Sequence, residues 1–202
     1  QQAYLKASNT DSFDGFGRVV AISGDTIAVG ARGESSSATG VNGNQTDNSA
    51  VSSGAVYIFV RSGSIWTQQA YIKASDTVAG QRFGSAVSLD SEVLAVGANS
   101  LSGAPGAVYV FSRNGTTWAQ EARLQPLDVA AQGPGGLQAR DFGNTLSISG
   151  DFIAVPAPTH TNALQSDGVV YVFRRNTGVW AQEAMLNANP SPVRGMSDKV
   201  SI

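Results

Sequence analysis

The residues best placed to do chemistry lie in one polar run, Asn42-Gly43-Asn44-Gln45-Thr46-Asp47-Asn48, with Glu34 upstream. Amide and carboxylate oxygens at this density suit two tasks: hydrogen-bonding a glycan or polar protein surface, or coordinating a hard cation. Glu34, Asn42, Asn44, Asp47 and Asn48 are therefore the candidate ligand-binding residues. Only Asp47 and Glu34 carry charge, which is thin for calcium and its roughly six to eight oxygen ligands. The reading is thus no metal and no cofactor, with calcium at Asn42, Asn44 and Asp47 as the alternative. The plainer reading of the run is a hydrophilic loop folded on Asn-Gly turns. Asn44-Gln45-Thr46 and Asn114-Gly115-Thr116 also fit the glycosylation sequon, a short pattern that arises often by chance.

Little else could catalyse. The chain has no cysteine, which removes disulfides, thiol nucleophiles and thiolate metal sites. His160 is its single histidine, with no acid nearer than Asp167, and reads as a loop residue. Asp14 and Asp141 precede two Phe-Gly pairs, where they suit Asx-type turns better than acid/base work across separate repeats. Gly133-Pro134-Gly135-Gly136 lacks the Lys-Ser/Thr of a phosphate-cradling loop. No catalytic residue is assigned, and the chain reads as a non-enzyme.

Composition narrows the partners. Of 202 residues only 14% are charged, against roughly 25% in ordinary soluble domains, and the net charge is -2. Basic residues are scattered singly, so no stripe exists to neutralise nucleic-acid phosphates. No apolar run approaches the roughly 20 residues of a membrane span. The first residue is Gln1 and no signal-like stretch precedes it, so a processed protein or a piece of a longer one is expected. Few lysines and abundant Ser, Thr and Asn point to an extracellular or cell-surface setting.

The elements that must position these residues recur. Phe16-Gly17 returns as Phe83-Gly84 and Phe142-Gly143, each followed by an alternating apolar stretch and a turn. A second apolar run then appears as Ile27 to Ala31, Leu94 to Ala98 and Ile153 to Ala157. A third follows, Gly54 to Phe59, Gly106 to Phe111 and Gly168 to Phe173, and a fourth opens on Trp66, Trp118 or Trp180. Four short strands rich in Val, Ile, Tyr and Phe, repeated, predict an all-β chain of four-stranded antiparallel β-propeller blades. The second and third strands are apolar on both faces, as strands sandwiched between neighbouring blades must be. The recurring tryptophans suit blade packing better than sugar stacking.

The chain parses as one propeller segment over 1–202. Residues 1–8 match the last strand of a preceding blade, 16–74, 83–125 and 142–187 are three complete blades, and 196–202 match the first strand of a following one. Three blades cannot close a ring, so the missing partners are further blades, from the same longer chain or from neighbouring chains.

Phe-Gly (16–17, 83–84, 142–143) paired with Val-Gly-Ala (29–31, 96–98) resembles the FG-GAP repeat, the blade unit of integrin α-subunit propellers. The Gly-Ala-Val-Tyr-Val-Phe and Trp-x-Gln segments resemble its bacterial-type variant. The resemblance implies an extracellular, non-enzymatic module for adhesion or ligand binding, usually seven-bladed. Three departures stand out. Pro156 and Pro158 interrupt the third copy, and Met196-Ser197 stand where a fourth Phe-Gly belongs. The integrin-type calcium loop is absent, since Ser23-Gly24-Asp25-Thr26 is a tight hairpin with one carboxylate.

In a four-stranded meander the one-to-two and three-to-four connections share one face, and here they are short. The two-to-three and four-to-one connections share the other and hold all the length variation, at 32–53, 99–105, 158–167, 75–82 and 126–141. Long loops on a rigid scaffold are where binding resides, so a protein or glycan ligand is expected there. The alternative is a structural array forming a filament or envelope layer. A polysaccharide-acting enzyme would need acids at the axis-facing starts of first strands, and those positions hold Gly17, Arg18, Ser85 and Asn144.

Overall fold

Four apolar runs per repeat become four strands per sheet. The computed structural model describes residues 1–99, 106–130, 141–158 and 168–187. Blade 1 comprises β1 (Val19–Ser23), β2 (Thr26–Ala31), β3 (Ala55–Ser62) and β4 (Ile65–Ile72). Blade 2 comprises β5 (Phe83–Asp90), β6 (Val93–Ala98), β7 (Ala107–Asn114) and β8 (Thr117–Leu124). After a single helical turn, α1 (Leu127–Ala130), blade 3 comprises β9 (Ser147–Ser149), β10 (Phe152–Ala157), β11 (Val169–Asn176) and β12 (Val179–Asn187). Each sheet is an antiparallel meander in chain order, and β5 lies beside both β1 and β9. No described helix is long and apolar enough to cross a membrane.

The core lies between blades. Ala28, Val56, Ile58, Ala70 and Ile72 of blade 1 pack against Phe83, Leu89, Leu94, Tyr109 and Trp118 of blade 2. Blades 2 and 3 repeat the arrangement, with Val108, Val110 and Leu124 against Phe142, Leu146, Ile148, Tyr171 and Trp180. Alternate residues of β2 and β3 serve opposite interfaces, because Val29, Ala31, Tyr57 and Phe59 join a third cluster on the other side of blade 1. That alternation is why these strands read as unbroken apolar runs.

The Phe-Gly pair has a distinct mechanical role. Phe83 meets Tyr109 and Phe111 of its own blade edge-on, with ring centroids 5.4 and 6.0 Å away. Phe16 and Phe142 do the same in blades 1 and 3. The Phe-Gly backbone presses on glycines of the blade before it. A Cβ on Gly97 would stand 2.0 Å from the Gly143 carbonyl oxygen, and one on Gly106 1.8 Å from that of Phe142. Gly30 and Gly54 receive Gly84 and Phe83 in the same way.

A second interlock uses a β-bulge. Each third-to-fourth strand ladder shifts register at one place, leaving Gln69, Glu121 or Glu183 as the extra residue. A bulge re-aims its side chain. Trp118 Nε1 donates to Gln69 Oε1 at 3.0 Å and Trp180 Nε1 to Glu121 Oε2 at 3.0 Å, each reaching back to the preceding blade. Trp66 Nε1 donates to Gln2 Oε1 at 3.2 Å. Residues 1–7 pair with no described strand, yet Gln2 occupies the bulge position, and Leu5 and Ala7 pack on blade 1. The expected first strand at 196–202 lies outside the described residues.

Candidate functional site

The two faces differ as the connections do. On the tight-turn face each first hairpin spends its carboxylate on the third strand's arginine. Arg61 Nε donates to Asp25 at 2.7 Å, Arg113 to Glu92 at 2.8 Å and Arg175 to Asp151 at 2.9 Å. Each guanidinium also lies over the fourth-strand tryptophan, 5.8, 5.4 and 5.5 Å from the ring centroid. Asp25 thus faces a cation, and the two-residue hairpin brings no converging oxygens. The integrin-type calcium site does not fit these residues.

On the opposite face the 32–53 loop is built around a buried ion pair. Glu34 is 1% exposed and Lys73 is 0% exposed, with Nζ donating to Glu34 Oε2 at 2.6 Å and to Ser53 Oγ at 2.7 Å. Glu34 Oε1 accepts from the Tyr71 hydroxyl at 2.8 Å, the Ser36 amide at 3.1 Å and Asn9 Nδ2 at 3.2 Å. Burial pushes the Lys73 ammonium below its usual range, opposed by Glu34. Burial beside the Glu34 carboxylate pushes the Tyr57 and Tyr71 phenols up. Asp14 is also raised by burial, although its Oδ2 accepts from the Asp11 amide at 2.9 Å.

Asn9 belongs to a series. The Tyr57 hydroxyl donates to Asn9 Oδ1 at 2.6 Å, that of Tyr109 to Asp76 Oδ1 at 2.6 Å, and that of Tyr171 to Asp128 Oδ2 at 3.0 Å. In each case a third-strand tyrosine holds the residue four positions beyond the preceding fourth strand's aligned Ile72, Leu124 or Leu5. The loop face is therefore latched between blades by phenols, as the turn face is by indoles.

The five candidate residues occupy different layers. Glu34 lies beneath the surface, saturated by four donors and out of a ligand's reach. Asn42 adopts φ 56 and pairs with β4: its amide donates to the Tyr71 carbonyl at 2.7 Å, and its Oδ1 accepts from the Tyr71 amide at 2.9 Å. Asn44 Oδ1 accepts from the Thr46 amide at 3.0 Å, an Asx turn. Asp47 Oδ2 accepts from the Ser37 amide at 2.6 Å, the Ser37 hydroxyl at 2.7 Å and the Ser49 hydroxyl at 3.0 Å. Those donors hold the Asp47 carboxyl down to about 2. Asn48 Nδ2 donates to Asp11 Oδ2 at 2.7 Å. Asn44, Asp47 and Asn48 form the loop's outer layer, and their oxygens engage separate turns instead of converging. Among the described residues no three acidic, His or Cys side chains gather to hold a metal ion.

The loop continues into its neighbours. The Gly80 amide donates to the Val51 carbonyl at 2.8 Å, and the Phe83 amide to the Ser53 carbonyl at 2.8 Å. The loops at 99–105, 126–141 and 158–167 lie largely outside the described residues, as do His160 and Gly133 to Gly136. Sequence reasoning missed Lys73 and Asn9. The signal available was a lysine directly after a fourth strand, where the next blade has the neutral Gln125.

The geometry that decides the family is the Phe-Gly backbone seated on the glycines of the preceding Val-Gly-Ala and Gly-Ala-Val-Tyr segments. The FG-GAP repeat pattern matches residues 1–59 and 66–111. The chain belongs to the FG-GAP repeat family. Its three four-stranded antiparallel sheets are FG-GAP β-propeller blades, and propellers of this family are generally non-enzymatic. Among curated proteins none matches the chain.

Proposed function

We propose that this FG-GAP chain is a non-catalytic recognition module that binds a protein or glycan ligand on its long-loop face, at the cell surface or outside the cell. The carrying observation is the buried Lys73–Glu34–Ser53 anchor beneath the 32–53 loop. A polar loop tied to the blade by a desolvated ion pair is preorganised, and preorganisation lowers the cost of binding. The turn face, by contrast, has its charged groups consumed by internal Arg–carboxylate pairs. Asn44, Asp47 and Asn48 form the outer contact layer.

Further blades complete the module. Val20 and Ile22 are 63% and 64% exposed, whereas their blade 3 counterparts Leu146 and Ile148 are 8% and 5% exposed against a preceding blade. These open positions suit another blade of the same repeat. The structural-array alternative, with copies stacked head to tail, meets an obstacle at the third blade. Pro156 stands where Gly30 and Gly97 receive an incoming Phe-Gly, a position at which a Cβ on Gly97 would come within 2.0 Å of the seated backbone. We therefore favour the recognition module over self-stacking.

A glycan array and a panel of purified cell-surface proteins, probed with the parent chain and with S37A/D47A, test the reading. Binding that falls in the loop variant and persists in R61A, on the turn face, supports it. Binding lost in R61A and retained in S37A/D47A overturns it.

A further inference from the structure

Three arginines reach one place on the loop face with no counter-ion among the described residues. Arg18 leads into β1, Arg32 follows β2 and Arg82 precedes β5. Val19 pairs with Gly30, which puts Arg18 across from Ala31 and beside Arg32. The Cβ position of Gly84 falls 3.4 Å from the Ala31 amide nitrogen, bringing the Arg82 segment to the same spot. The next blade shows what side chains do at these positions. Ser85, the counterpart of Arg18, donates its hydroxyl to Asn99 Oδ1 at 2.6 Å. Asn99, the counterpart of Arg32, donates Nδ2 to Asn144 Oδ1 at 2.9 Å. This neutral, self-satisfied chain links the start of β5, the end of β6 and the segment leading into β9, and in blade 1 arginines replace it.

Like charges gathered without a partner are unfavourable and need an external explanation. Partial burial lowers Arg32 from the usual guanidinium range, and Arg18 and Arg82 add to the effect. Among the described residues Arg61, Arg113, Arg123, Arg174 and Arg175 each have a carboxylate within 4 Å, and Arg18, Arg32 and Arg82 have none. In an acidic chain of net charge -2, the fold has collected cations dispersed along the sequence at one place.

An exposed aromatic residue belongs to the segment that touches Gly33, next to Arg32. Phe13 is 97% exposed and adopts φ 73, a conformation costly for an aromatic residue. A Cβ on Gly33, the residue after Arg32, would lie 2.2 Å from the Phe13 carbonyl oxygen, so the two segments touch. The Gly33 amide fixes the bend by donating to the Asp14 carbonyl at 2.9 Å.

We propose that this arginine cluster on the loop face binds an oxyanion-bearing saccharide. Arg18 and Arg32 fork the carboxylate or sulfate, Arg82 adds charge, the sugar ring stacks on Phe13, and the Asn99–Asn144 amides border its hydroxyls. An exposed aromatic side chain on the neighbouring segment and the nearby amides favour a sugar over an acidic peptide, which would use the arginines alone. The site rests on the loop face being the ligand face and specifies what that face holds.

Isothermal titration of the full chain with tri-galacturonate, a sulfated galactose trimer, maltotriose and poly-glutamate tests it. One of the two acidic sugars is expected to bind, maltotriose is not, and the acid that binds tells carboxylate from sulfate. R18Q and R32Q each weaken binding about tenfold, the scale of a charge-assisted fork. R32K restores less than half of the loss, and F13A weakens binding severalfold with an unchanged salt dependence. Circular dichroism and the melting temperature of each variant, matched to the parent, exclude misfolding. No binding by either acidic sugar overturns the proposal. Equal binding of poly-glutamate, or a silent F13A, overturns the saccharide assignment. An array ligand whose binding depends on Ser37 and Asp47 while both acidic sugars fail would leave the loop-face reading standing and remove this one alone.

Discussion

Replacing Gly97 with alanine puts a methyl group 2.0 Å from the Gly143 carbonyl oxygen, and 3.2 Å from the Ala86 Cβ. The obstacle is backbone of the next blade, so no rotamer change relieves it. Restoring a C···O distance of about 3.3 Å requires blades 2 and 3 to part by about 1.3 Å there. A gap of about 1 Å already forfeits up to about half of the dispersion energy of the atoms concerned. Overpacking of this kind costs about 3 kcal/mol at the upper end of its range. Alanine returns about 0.5–1 kcal/mol in a strand through backbone entropy. The expected net loss is about 2 kcal/mol, a fall in melting temperature of about 4–8 °C for a chain of this size. Trp180, buried in the same interface, should shift its fluorescence to longer wavelength as water enters. Gly115→Ala is the control, since φ is +61 and nothing lies within 4 Å. It should cost about 1 kcal/mol through backbone strain and leave Trp180 emission unchanged. A G97A protein as stable as the parent, or with unshifted Trp180 emission, would refute Phe-Gly seating as the link between blades.

Other expectations follow from the same contacts. Lys73→Met leaves Glu34 buried without its cation and should cost about 3–5 kcal/mol in urea unfolding, with K73M/E34Q recovering most of it; a neutral K73M would contradict the anchor. Asp47 titrates at about 2, below its usual 3.8, so the unfolded chain binds more protons between those values. The loop therefore loses stability as pH falls through that window, and Ser37 amide exchange should accelerate there. Exchange independent of pH in that range, after correction for intrinsic rates, would contradict the Asp47 bonds. Trp118→Phe removes the hydrogen bond to Gln69 and weakens the Arg113 stacking, and should cost about 1–2 kcal/mol by calorimetry. An unchanged melting temperature would count against the bulge interlock.

The blade frame was legible because each determinant is local: Phe-Gly, a two-residue turn, Val-Gly-Ala and Trp recur along the chain with a period the eye can follow. Even the fourth-strand bulge is marked, once the Gln69 and Glu121 positions are aligned. The site was less legible. Glu34 looks like a surface ligand in sequence, because nothing local reveals that Lys73, 39 residues away, closes over it. Arg18, Arg32 and Arg82 look scattered, and only the register of β1 with β2 and the seating of Gly84 on Ala31 gather them. Asn42 reads as a polar loop donor, yet it serves as a strand-edge partner for Tyr71. Pairings across blades depend on how sheets stack, which spacing along the chain does not encode.

Amide hydrogen exchange with and without the strongest array ligand tests the central claim most directly. Loop-face recognition predicts protection confined to residues 9–18, 32–53 and 76–86, with the turns at 23–26, 62–65 and 114–117 unchanged. Protection centred on those turns would contradict it.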